Sequence, residues 1–217
     1  MLHNPTQSNT MLIGLTGGIG SGKSTIAKQL REMGYAVYDT DSEAKRLIVE
    51  DATVRNQMEQ LFGKEVYADG VYQTALVAQR VFTDKSLLAQ LNAIVHPAVR
   101  QDILQHLASN SSNGPTSDSE AVQQRSGLFF IECAILYQAG FDTLCDKVVA
   151  VTAPEDIRLA RAVARDHSTI EKVRARMRTQ ATEQDRLRAN IIINNDGQTP
   201  IPTLCEQIIG ALVGEDR

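Results

Sequence analysis

This 217-residue chain is short of three things: cysteine, long apolar runs and positive charge. Each shortage removes a class of protein. Cys133, Cys145 and Cys205 are odd in number and widely spaced, and no C-x-x-C pair occurs. That excludes a disulfide framework and a structural zinc site, fits a reducing cytoplasm, and makes the cysteines packing residues rather than nucleophiles. No apolar run approaches the roughly 20 residues of a membrane span, so no membrane partner is expected. Residues 1–10 are polar and lack the apolar stretch of a signal peptide; a flexible N-terminal extension is expected there. The net charge of −4 argues against a nucleic-acid binder driven by bulk charge. His3, His106 and His167 show no metal-ligand spacing, and no long internal repeat is present.

What is present begins with Gly17-Gly18-Ile19-Gly20-Ser21-Gly22-Lys23-Ser24, which fits G-x-x-x-x-G-K-[ST]. The apolar run from Leu12 to Thr16 reads as a buried strand before it. Ile26, Leu30 and Met33 recur at helical spacing after it. Strand, glycine loop and helix therefore come in the order needed to cradle phosphate with backbone N–H groups. Gly17, Gly18, Gly20 and Gly22 are expected to supply backbone angles that other residues resist. Lys23 reaches the β- and γ-phosphates of a nucleotide, Ser24 offers its hydroxyl to Mg²⁺, and Thr25 reaches the α-phosphate.

Four further apolar runs read as strands: Ala36 to Tyr38, Leu128 to Ile131, Lys147 to Val151, and Ile191 to Ile193. Helical patterns separate them, which argues for a five-stranded parallel sheet in an α/β, P-loop NTPase-type three-layer fold. The core is read as residues 11–41, 128–153 and 190–217 of a single unit spanning 11–217. Residues 42–107 are almost wholly helical in pattern and read as a substrate-binding insertion at the C-terminal edge of the sheet. Asp51 caps one of its helices, Asp84 begins another, and Pro97 marks the start of the next. Residues 109–127 are rich in Ser, Asn, Gly and Pro and read as a flexible loop. Residues 154–189 form a second helical excursion, with Pro154 at its first helical position and Ser168 to Glu171 as a capping box. Between 154 and 188, eight Arg and one Lys face six acids. Beside a nucleotide, such a segment reads as a phosphate lid rather than a solvated charged face.

Single residues add chemistry. Asp39-Thr40-Asp41 follows the second strand, and a carboxylate there takes a proton from an acceptor hydroxyl or holds a metal-bound water. The competing reading is that one of the two aspartates only caps a helix starting at Ser42. Glu132 ends the third strand at the position of a Mg²⁺-supporting acid, or is an ordinary strand-end acid. His96 is a capping or packed histidine by pattern, and Arg100, one turn on, suits an anionic substrate group. Asn194-Asn195-Asp196-Gly197 is a turn signal. It is not the Asn-Lys-x-Asp motif of a guanine-binding switch.

Taken together, these residues resemble the dephospho-CoA kinase family from Met11 to about Val213. The resemblance is carried by Leu15 through Thr25, Val37 through Asp41, Leu91-Asn92 with His96-Pro97, Arg165-Asp166, and Ile193 through Gly197. It implies ATP-dependent phosphorylation of the ribose 3′-hydroxyl of dephospho-CoA, with Mg²⁺, by a cytoplasmic enzyme; the sequence leaves open whether that is a monomer or a small homo-oligomer. Asp41 then matches the carboxylate that activates the hydroxyl, and His96 and Arg100 match the acceptor side. Arg161 and Arg165 match lid arginines that neutralise the transferring phosphoryl group, while Asn195, Asp196 and Gly197 match the adenine loop. Two departures stand out: Gln138 replaces an acid, and Asn190 stands where an aspartate is common. The nearest rivals are nucleoside monophosphate and shikimate-type kinases, the latter having no need of the 42–107 insertion.

Overall fold

The computed structural model describes residues 10–112, 127–179 and 187–214. Nearly all of the expected extension (1–10), most of the 109–127 loop and residues 180–186 of the expected lid lie outside the described residues.

Five strands form one sheet in the order β2-β3-β1-β4-β5. They are β1 (Met11–Gly17), β2 (Ala36–Asp39), β3 (Leu128–Glu132), β4 (Lys147–Thr152) and β5 (Ile191–Asn194). Each contains the run expected of it and extends one or two residues further. β1 sits centrally, parallel to β3 with Leu12 opposite Phe129 and to β4 with Gly14 opposite Val148. Every β1 residue from Leu12 to Gly17 is buried, which is why the run reads as continuously apolar instead of alternating.

On one face, Ile13, Leu15, Phe130, Val149 and Val151 meet α1 (Lys23–Glu32) through Ile26 and Leu30. The same cluster takes Leu204, Ile208 and Leu212 from α8 (Ile201–Val213). Burial of one such side chain contributes about 1.5–3 kcal/mol, so this cluster dominates the stability of the sheet layer. Tyr35 adds an edge-to-face contact with Phe130, centroids 5.9 Å apart. Asn190 accepts a hydrogen bond from Val148 N–H at 2.8 Å through Oδ1. The amide oxygen meets the strand there as a carboxylate oxygen would, so this departure from the family pattern retains an acceptor.

The chain divides into two units: Asp39–His106, and the described residues before and after it. The Asp39–His106 unit is helical. It holds α2 (Thr40–Glu50), α3 (Ala52–Phe62), short 3₁₀ turns over Lys64–Gly70, α4 (Thr74–Thr83) and most of α5 (Lys85–Ser112). Asp51 caps α3 by accepting from Val54 N–H at 2.8 Å, as its position in the sequence implies. Arg46 of α2 ties to α5 with Nη2 at 2.9 Å from both oxygens of the buried Asp102.

The start of a helix expected at Pro97 is not observed, because α5 runs through it. An interior proline costs about 3 kcal/mol through its missing N–H and its clash with the preceding turn. Val95, Val99 and Ile103 carry one buried stripe across it, 8%, 2% and 0% exposed. At about 1.5–3 kcal/mol each, three buried side chains outweigh one proline.

In the other unit, α6 (Glu155–Asp166) and α7 (Ile170–Thr179) pack on each other through Leu159, Ala162 and Val173. Two expectations shift here. Pro154 holds the extended cap position (φ −50°, ψ 144°), one residue ahead of the first helical residue. Thr169, not Ser168, caps α7, its Oγ1 accepting from Lys172 N–H. Both shifts displace a boundary by one residue, as happens when several adjacent residues have capping chemistry.

Candidate active site

The glycine loop joins β1 to α1, the strand and helix expected to flank it. Only Gly20 and Gly22 take left-handed angles, φ 76° and 91°. The expectation that Gly17 and Gly18 need such angles is corrected. Gly17 is still in the strand, and it lacks room for a side chain because Ser21 Oγ and Val151 O crowd its Cα. Gly18 accepts a 3.0 Å hydrogen bond from Ser21 N–H. Gly20 has a second constraint: a Cβ there would collide with the backbone of Arg158 on α6.

Gly22 is the N-cap of α1, and no side chain caps the helix. The first turn therefore presents N–H donors and a positive dipole end without a protein anion on them. Ser24 and Thr25 are exposed on that turn. Lys23 is drawn inward, its Nζ 2.7 Å from Glu132 Oε1. Arg31 Nη2 lies 3.6 Å from the other oxygen of the same carboxylate. Glu132 is 4% exposed, and each of its two oxygens faces a cation. The strand-end acid of the sequence thus stands beside the loop lysine, and Arg31 is a participant the sequence pattern did not single out.

Ile19, at the loop tip, packs against the α6–α7 core with Val163 and Met177. Arg161 of α6 donates from Nη1 to the Asn195 carbonyl at 2.9 Å. The Asn195 side-chain amide donates to the Ser21 carbonyl at 2.9 Å, and Asn195 is 3% exposed. Asp196 shapes the turn that follows, its Oδ1 accepting from Gln198 N–H at 2.9 Å, and Gly197 takes φ 87°. A cavity of about 350 Å³ opens here, lined by Gly22, Thr25, Arg161, Asn195, Gly197 and Pro200 among others. Loop, α6 and the turn after β5 thus share one pocket.

Arg165 is placed differently. It is exposed, with Nε 2.7 Å from Asp166 Oδ1 and Nη2 3.1 Å from Oδ2. Arg176 of α7 donates to the same Asp166 Oδ2 at 2.6 Å. The two guanidiniums hold the Asp166 carboxyl far below the usual carboxylate range.

In the helical unit, Asp39 caps α2. Its Oδ1 accepts from Asp41 N–H at 3.0 Å and Ser42 N–H at 3.3 Å, and Ser42 Oγ donates to Oδ2 at 2.9 Å. Of the two aspartates, Asp39 is therefore the capping one, and the helix begins at Thr40, two residues before Ser42. Asp41 stands exposed in the first turn. His96 and Arg100, one turn apart on α5, are half-buried, and burial depresses the His96 pKa.

Among the described residues, no group of three or more His, Cys, Asp or Glu side chains could hold a metal by itself. Mg²⁺ requires no such group, since it is commonly bound by substrate phosphates with only one or two protein ligands. The exposed Ser24 hydroxyl and the Glu132 carboxylate are of the right hard-oxygen chemistry. Among the described residues, no helix is long and apolar enough to cross a membrane.

The dephospho-CoA kinase family profile matches residues 11–200. A dephospho-CoA kinase of Porphyromonas gingivalis is 42% identical over 177 residues, 82% of this chain and 81% of the relative. One of Deinococcus radiodurans is 37% identical over 201 residues, 92% and 90% of the two chains. Among solved structures, a Thermus thermophilus protein is 32% identical with a TM-score of 0.75, covering 95% of this chain and 97% of that one. The Campylobacter jejuni dephospho-CoA kinase shares the fold at 21% identity and a TM-score of 0.65, covering 95% and 98%. The P-loop geometry and a match running from β1 to the start of α8 lead to one conclusion: the chain belongs to the dephospho-CoA kinase family.

Proposed function

We propose that this chain transfers the γ-phosphoryl group of ATP to the ribose 3′-hydroxyl of dephospho-CoA, giving coenzyme A and ADP. The observation that carries the reading is the family match over residues 11–200, which spans the loop with Lys23 and the carboxylate Asp41. In the transfer, the 3′-oxygen forms a bond to the γ-phosphorus as the bond to the β,γ-bridging oxygen breaks. The hydroxyl proton passes to the Asp41 carboxylate, and ADP leaves.

The remaining roles follow from chemistry. The N–H groups of Gly20, Gly22, Lys23 and Ser24, at the loop and the opening of α1, and the Lys23 ammonium hold the phosphate chain. The pocket of about 350 Å³ at Arg161, Asn195 and Gly197 suits the nucleoside end of ATP. Ser24, with support from Glu132, would hold Mg²⁺, which would supply charge neutralisation for the phosphates. Arg161 and Arg165 add positive charge at the transferring group, and the α6–α7 segment limits access of water. His96 and Arg100 contact the acceptor, Arg100 through its anionic groups. A cytoplasmic location, with no nucleic-acid partner, goes with this substrate and with the free thiols Cys133, Cys145 and Cys205.

The test is a coupled ADP-release assay with dephospho-CoA beside AMP, CMP, shikimate and water. Turnover with dephospho-CoA is expected to stand far above all four. If shikimate or a nucleoside monophosphate gives the higher rate, the acceptor assignment is wrong.

A further inference from the structure

Asn195 follows β5, in the loop that the family resemblance assigns to adenine. Its side chain is committed elsewhere. The main-chain N–H donates to the Thr152 carbonyl at 2.8 Å, which anchors the residue to the end of β4. From that anchor, the side-chain amide donates to the Ser21 carbonyl at 2.9 Å, 174 residues away in sequence. The approach is close enough that a Cβ on Gly22 would collide with Asn195 Nδ2.

Peptide planarity gives this contact a consequence. In a trans peptide the carbonyl of Ser21 and the N–H of Gly22 point in opposite directions. Holding the Ser21 oxygen on Asn195 therefore turns the Gly22 N–H away from Asn195. It joins the uncapped N–H groups that open α1. Gly22, at φ 91°, has no side chain to bias that peptide, so an external anchor is what selects its orientation.

We infer that Asn195 is a positioning residue for phosphate binding: it holds the Ser21–Gly22 peptide with its N–H available to the nucleotide phosphates. The inference rests on the P-loop being the phosphate site of the proposed reaction. It assigns Asn195 to the loop's geometry rather than to reading the base.

The experiment uses the full chain with Asn195→Ala and the near-isosteric Asn195→Leu, which keeps the bulk and removes the donor without adding charge. Binding of inorganic tripolyphosphate, a phosphate chain with no base, is measured by calorimetry beside KM for ATP and for GTP. Losing one donor that leaves a buried carbonyl unpaired is expected to weaken tripolyphosphate and ATP together, by about tenfold. The preference for ATP over GTP stays unchanged. A purely structural role would lower the melting temperature without this parallel loss. Unchanged tripolyphosphate affinity in both variants overturns the proposal, as does absence of tripolyphosphate binding to the wild-type chain. A collapse of the ATP preference with intact tripolyphosphate binding reassigns Asn195 to base recognition. ATP turnover of the wild-type chain with dephospho-CoA, run alongside, reports separately on the parent reading.

Discussion

Lys23 Nζ donates to Glu132 Oε1 at 2.7 Å, with only 11% and 5% of the two side chains exposed. The loop lysine thus has a protein anion as its partner. In the proposed reaction nucleotide phosphates compete with Glu132 for that ammonium, so loss of Glu132 removes a competitor. Breaking a buried ion pair costs about 3–5 kcal/mol. Glu132→Ala is therefore expected to lower the melting temperature by on the order of 10 °C without nucleotide. Saturating ATP should recover a larger increment in the variant than in the wild type. Equal ATP-induced shifts in scanning calorimetry would show that Lys23 does not exchange its carboxylate for phosphate.

Asp39 spends its carboxylate on capping α2, which leaves Asp41 as the candidate base. Asp41→Asn removes a proton acceptor without changing size. The expected outcome is a kcat lower by about 100-fold or more, with ATP affinity within twofold of wild type. A near-normal kcat in steady-state assays removes Asp41 from the base role.

Asp166 binds Arg165 and Arg176 on one carboxylate. Arg165→Ala is expected to lower kcat more than it raises KM for ATP, since the proposed role puts its charge on the transferring group. Asp166→Asn removes the carboxylate charge from both arginines and should give a smaller loss in the same direction. If Asp166→Asn alone changes KM and leaves kcat intact, the cluster orders α6 against α7 and does not orient Arg165 for transfer.

The pKa of His96 lies below its ordinary 6.5 in the folded chain because burial disfavours the charged ring. The unfolded chain therefore takes up this proton first as pH falls. Stability attributable to His96 is complete above pH 6.5 and is lost as pH drops from there toward the folded-state value. Denaturant titrations across this range should show a shallower pH dependence for His96→Gln than for wild type. Parallel profiles would mean that His96 keeps its ordinary pKa on folding.

Much of this protein is readable from local pattern. The five strands, the P-loop between strand and helix, and the Asp51 cap depend on neighbours a few residues away, so their signals survive in one dimension. Pro97 misleads for the same reason. Its local message is a break, and the opposing message is the burial of Val95, Val99 and Ile103, which depends on what those side chains pack against. The Asp39 and Asp41 ambiguity is likewise undecidable from spacing, since both stand at a helix start and only hydrogen-bond geometry separates them.

The candidate site divides along the same line. Glycines, Lys23 and Ser24 are adjacent in sequence because one loop and one helix end carry them all, in the pattern of a phosphate-binding loop. The amino-acid sequence alone therefore determines that chemistry and the family it belongs to. Tertiary structure decides which partners the loop takes. Glu132 reaches Lys23 from 109 residues away, and Asn195 reaches Ser21 from 174 residues away. Those contacts exist because β3, β1, β4 and β5 lie side by side in one parallel sheet and end at the same edge. Strand order is set by burial over the whole chain, and no local pattern encodes it.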